Sequence, residues 1–82
     1  GKTVLLKGWP ITRKEVVTRE GDPMAFVSFE DETAIYETVF FPDAYRRFCQ
    51  TLGWERPYAL RGTVEESFGA VSLTVSHLEA VA

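Results

Sequence analysis

Few side chains in this sequence are of a type that could carry out covalent or metal chemistry. The 82 residues contain one cysteine, Cys49, and one histidine, His77. A zinc site made of Cys and His needs about four ligands and is therefore excluded. No nucleophile, general base and orienting group can be assembled around either residue. We therefore interpret the chain as a non-enzyme that needs no cofactor.

The acidic run Glu30-Asp31-Glu32 is the remaining group that could hold a cation. Carboxylates between two strand-like segments more often belong to a turn, in which an aspartate accepts hydrogen bonds from nearby backbone N–H groups. We therefore predict that Asp31 stabilises a turn and that no metal binds here. Cys49 is interpreted as a buried small hydrophobe, and His77 as a surface residue at a strand end.

Phe26 is the residue whose type and position indicate binding. It lies in the stretch 24–42, MAFVSFEDETAIYETVFFP, whose two short runs of β-branched and aromatic residues predict a β-hairpin. Because side chains alternate between the faces of a strand, Ala25, Val27 and Phe29 share one face and Phe26 lies on the other. An aromatic ring on an outer face can stack on nucleic-acid bases, or it can pack under a loop or against another domain.

Two further strands and a turn frame this hairpin. A first strand runs from Val4 to Thr18 and is interrupted at Gly8 and Pro10, which would weaken a regular ladder but suit a strand that bends between two sheets. Residues 19–23 form a turn in which Gly21 can adopt a positive φ. A fourth strand covers residues 58–65, with inward side chains at Tyr58, Leu60, Gly62 and Val64.

The other elements are a helix, a second turn and a fifth strand. The helix runs from Pro42 to Gly53 and carries an apolar stripe at Tyr45, Phe48, Cys49 and Leu52. Residues 67–69, Ser-Phe-Gly, form a turn, and the alternation of Val71, Leu73 and Val75 with polar residues indicates a half-buried strand. The order β-β-β-α-β-β predicts an all-β fold. This is a five-stranded OB-fold Greek-key barrel with one short helix between strands 3 and 4.

Composition places the chain among ordinary single-domain proteins. It is 45% hydrophobic and 26% charged. No segment is long and apolar enough to span a membrane, and a single cysteine suits a reducing compartment. We therefore expect a cytoplasmic protein without membrane contact. Residues 1–82 are interpreted as one domain, excised from a longer chain because it starts at Gly1 without Met. The net charge of −3 means that nucleic-acid binding requires local clustering of its cations.

In an OB-fold, ligands bind around strands 2 and 3, between the loops that join strands 1 to 2 and 4 to 5. Trp9 has outward parity and is a candidate second stacking platform. Candidate phosphate contacts are Arg13, Lys14 and Arg19. The alternative interpretation is that these charges only form a solvent-exposed edge that binds nothing. Glu37 could accept hydrogen bonds from base amino groups. The predicted nucleic-acid-binding residues are Phe26, Ser28, Glu37, Val39, Arg13, Lys14, Arg19, Arg61 and Trp9.

Four segments carry a resemblance to a known family: residues 8–10 (GWP), 17–31 (VTREGDPMAFVSFED), 39–42 (VFFP) and 60–64 (LRGTV). Together they resemble the OB domain near the C-terminus of the bacterial DNA polymerase III alpha subunit. Pieces of this pattern also occur in the anticodon-binding domains of class II aminoacyl-tRNA synthetases, whose F-x-x-hydrophobic-x-D pattern begins with a base-stacking Phe. That position is Phe26 here. Two positions depart from the family: Ala34 stands where the family often has Gly, and Pro10 where a β-branched apolar residue is common.

The resemblance implies a non-catalytic module that contacts single-stranded template DNA. Other domains or subunits of the polymerase would be further partners, and the isolated domain is expected to be a monomer. A protein-interaction module that docks another polymerase domain through the same face remains an alternative. An RNA-binding domain of the anticodon type is a third interpretation.

Overall fold

Five strands and one short helix form a closed β-barrel in the computed structural model, which describes residues 2–67 and 69–81. The barrel closes in the order β1-β2-β3-β5-β4, with antiparallel neighbours except for the parallel pair β3–β5. The elements are β1 Thr3–Val17, β2 Pro23–Glu30, β3 Ile35–Phe40, α1 Pro42–Phe48, β4 Tyr58–Ser67 and β5 Ala70–Ala80. The predicted OB-fold barrel is confirmed.

β1 belongs to both halves of the closed barrel: the first sheet, which it forms with β2 and β3, and the second sheet, which it forms with β4 and β5. Its residues 3–8 pair with β4 and residues 9–17 with β2, and the change occurs at Gly8. A Cβ atom on Gly8 would lie 2.6 Å from the Tyr36 hydroxyl and 2.9 Å from the Glu30 carbonyl oxygen, so only glycine permits this approach. A β-bulge follows between Pro10 and Thr12. The predicted interruption at Gly8 and Pro10 is therefore where the strand turns from one sheet to the other.

The bulge exchanges the two faces of β1. Before it, Trp9 points outward opposite Glu30; after it, the outward residues have even numbers, because Lys14 pairs with Phe26. An extra residue on one strand has this effect because side chains alternate strictly along the ladder. Sequence parity alone could not locate this exchange.

The barrel interior contains the residues that alternation assigned to it. Ala25, Val27 and Phe29 are all 0% exposed, and Tyr58, Leu60, Gly62 and Val64 face the core as predicted. Val71 differs, because its side chain is 59% exposed although Leu73 and Val75 are buried. Val71 pairs with Glu66 near the tip of the β4–β5 hairpin, beyond the packed interior. The hairpin turn at residue 68 lies outside the described residues.

The helix covers one end of the barrel. It is shorter than predicted, because α-helical geometry ends at Phe48 and residues Cys49–Thr51 form a 3-10 turn. Ala44 and Cys49 are buried, and the rest of the predicted stripe packs against the core. Burial raises the pKa of the Cys49 thiol to about 11, so the side chain stays neutral at physiological pH. Within residues 2–67 and 69–81 no helix could cross a membrane.

Gly62 should be the glycine with the least tolerance for a side chain. It lies beside the bulge of the β4–β5 ladder, where a Cβ atom would come within 2.2 Å of the Thr74 carbonyl oxygen. We expect Gly62→Ala to lower the free energy of unfolding by about 2–3 kcal/mol, because backbone must move to admit the methyl group. Urea denaturation measures this change.

Gly53→Ala is the matched control. The nearest atom to its added Cβ would be 3.5 Å away, and its φ is not positive, so the change should stay within about 0.5 kcal/mol. Equal destabilisation by the two substitutions would contradict the close packing at Gly62.

Candidate nucleic-acid interface

The outer face of β1, β2 and β3 carries one row of side chains centred on Phe26. In this row Lys14 of β1 pairs with Phe26 of β2, Phe26 with Val39 of β3, and Val39 with Thr74 of β5. The Phe26 side chain is 42% exposed, whereas Val39 is 9% exposed and forms an apolar floor beside it. We call these four residues the Phe26 row. The ring is thus flanked by a cation on one side and an aliphatic surface on the other.

The neighbouring row carries a hydrogen-bonded pair, Ser28 and Glu37. The Ser28 hydroxyl donates to Glu37 Oε1 over 2.7 Å, and Ser28 itself is buried at 8% exposure. Glu37 is exposed, and its Oε2 accepts no hydrogen bond from the part of the chain that the structure describes. Ser28 therefore orients the carboxylate, and Glu37 presents the free acceptor to solvent next to Phe26.

Arg13 does not join this surface. It pairs with Val27, whose side chain lies in the core, and its Nη1 donates to the Cys49 carbonyl oxygen over 3.2 Å. Its guanidinium also forms an ion pair with Glu15. Burial acts to lower the pKa of Arg13, but the hydrogen bond to Glu15 and the other contacts outweigh it and raise the pKa. The structure thus uses Arg13 to join β1 to the end of the helix.

Arg19 lies on a hydrogen-bonded loop at the end of β1. The loop is closed by hydrogen bonds from Thr18 N to Asp22 O at 2.8 Å and from Gly21 N to Thr18 O at 2.9 Å, with Gly21 at the predicted positive φ. An ion pair of 2.6 Å joins Asp22 to Arg46 of α1. Arg19 remains exposed on this loop, two residues beyond the end of β1.

Arg61 and Trp9 lie away from Phe26. Arg61 is exposed on the second sheet, where it pairs with Leu5 of β1 and His77 of β5. Trp9 is 48% exposed and pairs with Glu30, four residues along β2 from Phe26. Four residues of strand span about 13 Å. The structure therefore brings Lys14, Ser28, Glu37 and Val39 to Phe26, and places Trp9 at the far end of β2.

Sequence reasoning missed Phe41, which directly follows β3, and Arg47 of α1 as candidate site residues. Phe41 is 49% exposed directly before α1, and it lines a cavity of about 240 Å³ together with Arg47 and Ser76. Phe41 shares the parity of Glu37 and Val39, which the sequence analysis named as candidate binding residues. The alternation rule, continued two residues further, would have found it.

Asp31 and His77, two polar residues outside this surface, have structural partners. Asp31 Oδ1 accepts hydrogen bonds from the Thr33 and Ala34 backbone N–H groups, each at 2.8 Å, which confirms the predicted turn. These bonds lower the pKa of the Asp31 carboxyl. His77 is exposed as predicted but lies three residues before the end of β5, within 3.0 Å of Glu79. Among the described residues no three His, Cys, Asp or Glu side chains are grouped to hold a metal ion.

Residues 4–81 match the family model of the OB-fold nucleic acid binding domain. The chain belongs to this family. This OB-fold domain is 34% identical over 80 residues to an error-prone DNA polymerase of Symbiobacterium thermophilum, covering 95% of the chain. It is 33% identical over 60 residues, or 73% of the chain, to DNA polymerase III subunit alpha of Saccharopolyspora erythraea. Over 65 residues, 79% of the chain, it is 29% identical to that subunit of Staphylococcus epidermidis.

The OB-fold domain spans only 7%, 5% and 6% of the lengths of these three relatives. The resemblance to the polymerase III alpha subunit is therefore confirmed for one segment of those proteins. A similar structure is the SSB domain of a Synechococcus protein, with a TM-score of 0.79, 14% sequence identity, and coverage of 93% of this chain and 91% of that one. At this identity the likeness supports the fold.

Arg13 and Lys14 should differ sharply in what they contribute to stability. We expect Arg13→Gln to lower the free energy of unfolding by about 1–3 kcal/mol, because it breaks the bond to the Cys49 carbonyl oxygen and leaves polar groups unpaired in a partly buried place. Lys14→Gln removes the same charge from an exposed position and should change stability by about 0.5 kcal/mol or less. Urea denaturation of both variants tests this difference, and a larger loss for Lys14→Gln would refute the assignment of the two faces.

Proposed function

We propose that this OB-fold domain is a non-catalytic module of a DNA polymerase III alpha subunit and binds the single-stranded template. The observation that carries the proposal is the exposed Phe26 ring between Lys14 and Val39 on the outer face. The relatives that match 73–95% of the chain are named as DNA polymerases, which supports a polymerase as the parent protein of this domain. Residues 1–82 would then form one domain of that chain, working in the cytoplasm.

Base stacking would supply most of the affinity. An exposed aromatic ring binds the face of any base and contributes roughly 1–3 kcal/mol for each base, without regard to sequence. Phe26 provides such a ring above the apolar floor of Val39. Phe41, which is exposed two residues beyond Val39, would contact a neighbouring base. A module that must accept every template sequence needs this kind of contact.

The cations nearest Phe26 would contact the phosphates. Lys14 lies in the Phe26 row, Arg19 on the adjoining loop and Arg47 beside Phe41. Arg13 is left out because Glu15 and the Cys49 carbonyl occupy its guanidinium, and Arg61 because it belongs to the second sheet. Three phosphate contacts on single-stranded DNA give a slope of about −2 in log K against log salt. With a net charge of −3, we expect an affinity in the micromolar range or weaker.

Phe26→Ala should weaken the binding of oligo-dT by roughly 5- to 150-fold, which corresponds to the loss of one stacked base. Fluorescence anisotropy at low salt measures this affinity. Phe26→Trp should retain binding, because the larger ring still stacks. The matched control is Leu5→Ala, a truncation of an exposed apolar side chain on the second sheet, which should bind like the unmodified domain.

Equal binding by Phe26→Ala and the unmodified domain would remove Phe26 from the site. No binding by either would favour the alternative in which the same face docks another domain or subunit. Tighter binding of oligo-U than of oligo-dT would favour the RNA-binding interpretation.

Glu37 should act on base preference. Its free carboxylate oxygen can accept a hydrogen bond from the amino group of cytosine, which thymine lacks, while its charge repels phosphate. We expect Glu37→Gln to bind oligo-dT about two- to threefold more tightly and to reduce the ratio of oligo-dC to oligo-dT affinity. Anisotropy titrations with both oligonucleotides give this ratio.

Glu55→Gln is the matched control for Glu37→Gln. It removes one negative charge from an exposed position in the connection between α1 and β4, away from the Phe26 row. A similar gain in both variants would mean that Glu37 acts only through net charge. An unchanged affinity ratio would show that Glu37 does not contact the bases.

A further inference from the structure

The cavity beside Trp9 is separate from the surface around Phe26. It has a volume of about 310 Å³, and its walls include Lys7, Gly8, Trp9, Glu30, Glu32 and Pro57. Trp9 is 48% exposed, so much of the indole surface is open to a ligand. We propose that this cavity receives an arginine or lysine side chain from a basic protein segment. This proposal does not depend on DNA binding at Phe26.

The charge of the cavity selects a cationic ligand. Glu30 and Glu32 form no ion pair within residues 2–67 and 69–81, and Asp31 lies between them. The Asp31 carboxylate is engaged by the turn, and its lowered pKa keeps it ionised. Lys7 is the one cation in the walls. Three negative charges against one positive charge repel phosphate and attract a guanidinium or ammonium group.

Trp9 provides the second half of the recognition. Indole is the best aromatic partner for a cation, which sits over the ring within about 6 Å. Tryptophan and arginine are also the residues that most often dominate protein–protein binding energies, especially in pockets that exclude water. An arginine over Trp9 would therefore interact with the face of the indole ring and with both glutamates at once. A nucleotide whose base stacked on the same ring would bring its phosphate close to the glutamates, which would repel it.

The backbone of the walls is held by hydrogen bonds in the absence of a ligand. The absence of a side chain on Gly8 lets β1 approach the Glu30 carbonyl and Tyr36, and the Tyr36 hydroxyl donates to the Lys7 carbonyl oxygen over 2.5 Å. The Asp31 turn holds the acidic loop by its own hydrogen bonds. Backbone that is already hydrogen-bonded loses little conformational entropy on binding, which favours a short segment.

A tri-arginine amide with an acetylated N-terminus is a suitable probe of this cavity. NMR titration of the full chain should give a saturable shift of the Trp9 indole N–H signal. The Trp54 indole, which does not line the cavity, serves as an internal reference. Glu30→Gln/Glu32→Gln should weaken the probe's binding about fivefold or more, whereas Lys7→Gln should strengthen it.

A second double variant controls for net charge. Glu65→Gln/Glu66→Gln removes two exposed carboxylates from the β4–β5 hairpin and should leave the affinity for the probe within about twofold. Equal weakening by the two double variants, or no saturable shift of the Trp9 signal, would overturn the proposal. So would a shift of that signal by oligo-dT, since Trp9 would then be a base platform. Peptide binding without any oligo-dT binding would support this cavity and reject the proposed function.

Discussion

The double pairing of β1 is the constraint on which the rest of the structure depends. One strand must hydrogen-bond to β4 along its first half and to β2 along its second, so it has to bend sharply between them. Gly8 makes the bend possible because no side chain separates it from Tyr36 and Glu30. The bulge after Pro10 then resets which side chains face outward. The positions of Trp9 and Lys14 both follow from this single arrangement.

The hairpin and the barrel could be predicted from the sequence because their signals are periodic. Alternation assigned Phe26 to the outside and Phe29 to the core from the residue types alone, and the element order gave the topology. The interruption at Pro10 was predicted, but the exchange of faces after it was not, because it depends on one unpaired residue without a distinctive type. For that reason Arg13 and Lys14 looked equivalent in the sequence, although one joins β1 to the helix end and the other flanks Phe26.

The two ends of β2 differ in the sign of the charges that surround them. The exposed cations around Phe26 include Lys14 and Arg19, and the Glu37 carboxylate in the adjoining row accepts a hydrogen bond from Ser28. Around Trp9 the carboxylates predominate. The net charge of −3 therefore describes neither surface, and local composition rather than the total decides which ligand each can attract.

The spacing of these surfaces permits both to be occupied at once. Phe26 and Glu30 are four residues apart on one strand, or about 13 Å, while the Debye length at physiological salt is about 8 Å. The acidic cavity thus exerts only a screened field on phosphates near Lys14. Both surfaces include residues of the hydrogen-bonded β1–β2 ladder, and they share no residue. The two proposals are therefore compatible: the proposed nucleic-acid strand would lie at one end of β2 and the proposed basic protein segment at the other.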